Sequence, residues 1–214
     1  MSSGSEQFRF GKMPLPGIDT ALNVLASRVG QDGASALAHL YARPIRDEDL
    51  DFLFDLYAST RAEEMAATGW TPVEQQGFLH QQFQFQHRYY QEHYHDAQFL
   101  LLLRRGTPIG RLYWWHTASR ATLIDISLMP AVRGQGLGSA VLELLTRQVD
   151  KQAQPISLHV EPENPAHRLY RRFGFEVVAD NRVYLKMERA ARALDDRANR
   201  PVPPTQGNDH HECT

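Results

Sequence analysis

Three observations predict an α/β domain built on a central mixed, mostly antiparallel sheet flanked by helices. Apolar runs of strand length alternate with segments whose apolar residues recur at helical spacing. Gly106-Thr107-Pro108 and Asp180-Asn181 separate pairs of such runs as hairpin turns would. A glycine-rich turn, Arg133-Gly134-Gln135-Gly136-Leu137-Gly138, joins an alternating apolar run to an amphipathic helix, as a βα unit requires.

The elements follow in order. A first strand begins at Leu40. Asp47 is placed to cap a helix in which Leu50, Leu53, Phe54 and Tyr57 fall at i, i+3, i+4 and i+7, giving one apolar face that should cover the sheet. A second helix is expected from Pro72 to Tyr94, with Leu79, Phe83, Tyr90 and Tyr94 on one stripe and Phe78, Phe85 and Tyr89 beside it. Gln98 to Arg104 and Ile109 to His116 read as a hairpin, and Thr122 to Met129 pairs next. The helix from Leu137 to Lys151 buries Leu137, Val141, Leu144 and Leu145, and Glu143 and Arg147 can pair at i,i+4. Ile156 to Val160 is a strand, and the run from Asn164 is a helix that ends at Gly174. Glu176 to Ala179 and Arg182 to Met187 form the last hairpin.

Bulk properties narrow the function. With 214 residues and 42% hydrophobic content the chain can bury one good core, so one domain with appendages is expected. A formal charge of −2 gives no reason to expect nucleic acid or an anionic membrane. The single cysteine, Cys213, stands in a polar tail, which rules out an internal disulfide and fits a reducing cytoplasm. Met1 to Phe10 lacks the apolar core of a signal peptide, and Phe99 to Leu103 is too short to cross a bilayer. His93 and His95 alternate instead of sharing a helical face, and His210-His211 lies in the tail, so no metal is expected. Residues 1–39 form an arm, with an Ala-rich stretch from Ile18 to Val29 readable as a short helix, and residues 189–214 a polar tail. Association as a homodimer is left open.

The glycine turn looks built for a pyrophosphate. Glycine removes the Cβ atoms that would block converging backbone N–H groups, and the following helix contributes the positive end of its dipole. A mononucleotide loop would need Lys and then Ser or Thr after its last glycine, where Ser139 and Ala140 stand. A dinucleotide fingerprint would need a glycine at Ser139. What remains is R-x-x-G-x-G, read as Arg133, Gly136 and Gly138. Asn164-Pro165-Ala166-His167-Arg168-Leu169-Tyr170 with Gly174-Phe175 follows one βα unit later.

On these two motifs, over about two thirds of the chain from Leu40 to Glu188, the sequence resembles the GNAT acetyltransferase superfamily. That family carries R-x-x-G-x-G at the pyrophosphate of acyl-CoA and N-x-x-A-x-x-x-Y-x-x-x-G-F on the next helix. The resemblance implies the GNAT acyl-CoA N-acyltransferase fold, acetyl-CoA as acyl donor and transfer to an amine by direct attack in a ternary complex. It assigns the phosphates to Arg133, Gly134, Gln135, Gly136, Leu137, Gly138 and Ser139, and the pantetheine arm to Ile126, Ser127, Leu128 and Met129 with Asn164 nearby. Tyr170 matches the residue that protonates the departing sulfur. Asn before Pro at a helix start is also an N-cap.

The amine has the harder chemistry, since an ammonium of pKa about 10.4 is less than about 0.1% neutral at pH 7. Asp125, which interrupts the apolar strand before the phosphate turn, is the candidate base; the alternative is a carboxylate satisfied by backbone or arginine partners. Glu63 and Glu64 line the acceptor mouth or are simply solvated. Gln82, Gln86 and Tyr90 share a helical face suited to a polar acceptor, which favours a small-molecule amine over a long peptide groove. A protein amino group, or a non-catalytic acyl-CoA-responsive module, are the rival readings.

Overall fold

The computed structural model describes residues 39–192. The arm's helix over Ile18 to Val29, Cys213 and the tail histidines lie outside the described residues. Among the described residues seven strands and five α-helices follow, in the expected order but for the short α2, which was not expected: β1 Leu40–Pro44, α1 Leu50–Thr60, α2 Ala62–Ala66, α3 Pro72–His93, β2 Gln98–Arg104, β3 Thr107–His116, β4 Ala121–Leu128, α4 Leu137–Lys151, β5 Ile156–Val160, α5 Ala166–Arg172, β6 Glu176–Asp180 and β7 Leu185–Arg189. The sheet order is β1-β2-β3-β4-β5-β7-β6, and only β4 and β5 pair in parallel.

Alternation along the central strands feeds a separate core on each face. Leu100 and Leu102 of β2 join Leu112, Leu123, Val141, Leu145, Tyr170 and Phe175 on the side of α4 and α5. Phe99 and Leu101 join Leu53, Tyr57, Leu79, Phe83 and Tyr113 on the side of α1 and α3. The predicted faces of the long helices are the ones buried, and Glu143 pairs with Arg147 at 2.6 Å. Phe85 and Tyr89, by contrast, stay exposed.

Local chemistry sets the boundaries. Thr71 and Glu74 form a reciprocal capping box ahead of Pro72, so α3 starts there. Arg105 and Gly106 both take positive φ, which is the two-residue turn that matches strand twist, and β3 therefore begins at Thr107 and not at Ile109. Two expectations need correction. Asp47 does not cap α1: it sits in a short 3-10 turn, and Asp49 occupies the N-cap position without a side-chain capping bond, its carboxylate accepting instead from Arg46 N at 2.8 Å and from both Arg43 guanidinium nitrogens at 2.7 Å. The final hairpin turn is longer than Asp180-Asn181, because the Asn181 carboxamide oxygen accepts from the N–H groups of Val183 and Tyr184, which removes 181–184 from the ladder.

Candidate active site

The site begins where the parallel pair fails. β4 and β5 are in register only at Ala121↔Ile156, Thr122↔Ser157 and Leu123↔Leu158, while β4 runs on to Leu128. The cause lies on the other side of β4. Tyr113 of β3 faces Asp125 and Trp114 faces Leu123, so Ile124 is an extra residue, and a bulge of this kind bends its strand and sharpens its twist. From there β4 leaves β5 and opens a wedge. Met129 N–H donates back to Ile109 O on β3 at 2.8 Å, so alternation turns the N–H groups of Ile126 and Leu128 toward the wedge.

The glycine turn lies at the end of this strand. Gly134 and Gly136 have φ of 72° and 80°, left-handed values at which a side chain is strained, and Gly136 is the N-cap of α4 without side-chain capping. The first intrahelical bond is Ala140 N to Gly136 O, so the N–H groups of Leu137, Gly138 and Ser139 have no acceptor among the described residues. Gly138 acts differently. A Cβ there would make only an ordinary contact, 3.4 Å from Leu169 Cδ2, so neither packing nor φ demands glycine at this position. The Gln135 side chain braces the turn, donating to Ala131 O and accepting from Arg104.

Arg133 does not aim at the turn's N–H cluster. Its Nε donates to Leu128 O at 2.8 Å and its Nη2 to Ser59 Oγ at 3.2 Å, tying the end of β4 to α1. Asn164 Oδ1 accepts from Ala166 N at 2.9 Å, which is the capping half of its expected role. It also stands two residues before Ala166, where the family spacing has three. Tyr170 is 7% exposed and packs edge-on against Phe175 at 5.9 Å. Burial, and then the charge of Asp125, push its phenol well above the ordinary tyrosine range, so it keeps its proton at any working pH.

The opposite face of β4 carries a polar network. The bulge that opens the wedge also puts Asp125 on the face opposite Leu123, next to Arg111 of β3 and Ser127. Arg111 Nη2 donates to Asp125 Oδ2 at 2.6 Å and to Gln86 Oε1 of α3 at 2.8 Å, and Ser127 Oγ donates to Asp125 Oδ1 at 2.7 Å. The Arg111 side chain is 3% exposed and its guanidinium lies 4.9 Å from the centre of the Tyr113 ring, with Tyr90 edge-on to the same ring at 5.7 Å. Burial pushes Tyr113 up to about 12 and Tyr90 higher, and it opposes the charge on Arg111, which Asp125 together with the two tyrosines holds in place.

A sequence profile of the Acetyltransferase (GNAT) family matches residues 56–175, more than half of the chain. The chain belongs to that family. Over 136 residues it is 27% identical to a protein of Bacillus subtilis (strain 168) whose name assigns it, provisionally, as a ribosomal protein bS18-alanine N-acetyltransferase; 63% of this chain and 79% of that one are covered. Two crystal structures share the fold. The PaiA N-acetyltransferase of Thermoplasma acidophilum, solved in complex with coenzyme A, aligns with a TM-score of 0.53 at 18% identity over 71% of this chain and 98% of its own. PH1933 of Pyrococcus horikoshii OT3 aligns with a TM-score of 0.54 at 17% identity over 72% and 99%. The GNAT chain is thus an acyltransferase, and acetyl-CoA is the acyl donor of its family.

Within the GNAT domain the structure gathers Asp125, Ser127, Gln86 and Tyr90 into one cluster. Gln82 lies one turn earlier on the same helix, outside this hydrogen-bonded cluster. Glu63 is exposed, and Glu64 is an exposed partner of Arg61 at 2.8 Å. Sequence reasoning missed Arg111, although a lone cation inside Ile109-Gly110-Arg111-Leu112-Tyr113 was a visible signal of a buried partner. It also missed the Arg61 to Glu161 ion pair of 2.9 Å, which joins residues 100 positions apart and leaves no local trace.

Proposed function

We propose that this GNAT protein transfers the acetyl group of acetyl-CoA to a primary amine, with a small molecule as acceptor, by direct attack in a ternary complex. The observation that carries this reading is the wedge between β4 and β5, lined by main-chain donors and leading to a turn of free N–H groups, with the Tyr170 phenol buried nearby. Its main-chain donor set suits the amides and phosphates of an acyl-CoA. Ile126 and Leu128 would bond the pantetheine amides, and the N–H groups of Gly134 to Ser139 the pyrophosphate. Bound there, acetyl-CoA supplies the activated acyl group.

The chain's own residues handle binding and protons. Tyr170 holds a proton toward the sulfur position and stabilises charge that develops there. An ammonium carries no lone pair with which to attack the thioester carbonyl. The amine therefore reacts as the neutral species, and Asp125 takes a proton only after acylation has made the nitrogen acidic. Gln86 and Tyr90 bound the acceptor from α3. The name of the Bacillus relative supplies a second acceptor class, a protein α-amino group. Cytoplasmic residence belongs to the same proposal, and among the described residues no helix is long and apolar enough to cross a membrane.

Acetyl-CoA should raise the melting temperature through preferential binding to the folded state, and thiol release should depend on added amine. Absence of a thermal shift at saturating acetyl-CoA rejects the reading. Competition by short peptides but not by small amines moves the acceptor to a protein.

A further inference from the structure

We infer that Ser127 is the residue that receives the acceptor amine, as a hydroxyl locked into accepting a hydrogen bond. The inference rests on the acetyltransferase reading above and deepens it. A serine hydroxyl has one proton, and here that proton is committed to Asp125 Oδ1 at 2.7 Å. The carboxylate cannot swing away to release it. Its other oxygen is held by Arg111 at 2.6 Å, and Arg111 is held in turn by Gln86 of α3 at 2.8 Å. Only the lone pairs of Ser127 Oγ face outward, so the position selects a nucleophile that brings an N–H. An amine that donates there turns its own lone pair elsewhere.

Ser127 is also in the right place. It is partly exposed on the stretch of β4 that has no β5 partner, next to Ile126 and Leu128 whose N–H groups enter the wedge. Opposite it on β3 is Arg111. The same contact gives the proton its path. As the nitrogen–carbon bond forms and the carbon–sulfur bond breaks, the nitrogen's proton passes to Ser127 Oγ while the serine's proton passes to Asp125. The sulfur takes the proton of Tyr170, and solvent returns one from Asp125 to Tyr170, so the cycle closes without a further reactant. Arg111 is a positioning residue, since it reaches the amine only through Asp125 and Ser127.

The test measures amine-dependent thiol release from acetyl-CoA with a panel running from propylamine to a tripeptide with a free amino terminus. Thermal shift by coenzyme A is measured alongside. Ser127→Ala should lower kcat/KM for the best amine roughly tenfold to a hundredfold, the worth of one hydrogen bond to a developing charge, with an unchanged coenzyme A shift. Ser127→Thr, which keeps the hydroxyl, should stay within about threefold of the parent. Equal loss in the Thr and Ala variants, or an Ala variant within about twofold of the parent, overturns the role of Ser127 while leaving the acetyltransferase intact. A parent protein with neither thermal shift nor thiol release overturns both.

Discussion

The two faces of the sheet solve different problems. On the α4 and α5 side the packed surface is apolar and the polar groups left open belong to the main chain: N–H groups of the turn and of β4, exposed by left-handed glycines and a strand that departs from its neighbour. On the α1 and α3 side the groups are side chains, with a buried arginine, a carboxylate, a serine, a glutamine and two tyrosines drawn from three elements. The donor of an enzyme family is constant and can be met by backbone geometry. An acceptor differs from one relative to the next, and side chains can change without disturbing a ladder.

The comparison breaks most visibly at Arg111. Replacing it by alanine strands Asp125 in a largely buried setting, and denaturant titration should show a loss of about 3–5 kcal/mol. Arg111→Met with Asp125→Leu should recover most of that stability without recovering acceptor turnover. Tyr170→Phe should cost about 10²–10³ in kcat and leave the coenzyme A thermal shift unchanged, because it removes a proton and not a binding surface. A shift that vanished with the phenol would mean that the donor site, too, depends on side chains.

Gly136→Glu adds a carboxylate and a Cβ to the left-handed N-cap of α4. It should weaken coenzyme A binding by about tenfold to a hundredfold in calorimetry, with little change in the acceptor KM of the residual activity. Gly110→Ala probes the shared strand. A Cβ there would collide with Ser127 O and Leu128 Cδ2, so β3 and β4 must part where both sites meet, at about 1–3 kcal/mol and with loss on both sides.

The smallest effect is with pH. Burial, and then Arg111, depress His87, so its contribution is present above about pH 6.5 and is lost as pH falls through the lowered value. Tyr90, Tyr113 and Tyr170 are raised by burial, so theirs is present below about pH 10 and is lost above it. Urea midpoints should therefore form a plateau between those limits, and His87→Phe should flatten the acid shoulder alone.

Much of the scaffold was legible because burial imposes a period. β2, β5 and α4 fall where alternation and helical spacing put them, and the glycine turn could be read because a left-handed N-cap restricts the residue that fills it. Tyr170 was legible from its motif. The acceptor face was only half legible: Gln86 and Tyr90 share a helical face that pattern reveals, but nothing along the chain says that Gln86 meets Arg111. Asp47 was misplaced as a cap because two aspartates stand near the helix start, and only the fold puts Arg43 beside Asp49.

The sequence by itself determined most of the element order, the two apolar faces of the sheet and the glycine turn ahead of α4, since each rests on a local period or on the φ of one or two residues. Tertiary structure alone decided the chemistry of Asp125. One surplus residue, Ile124, turns that carboxylate from the face of Leu123 to the face of Arg111, and it parts β4 from β5 at the same point. Such a residue is identifiable only by its lack of a partner on β3, a property of the pairing between strands and not of either strand alone.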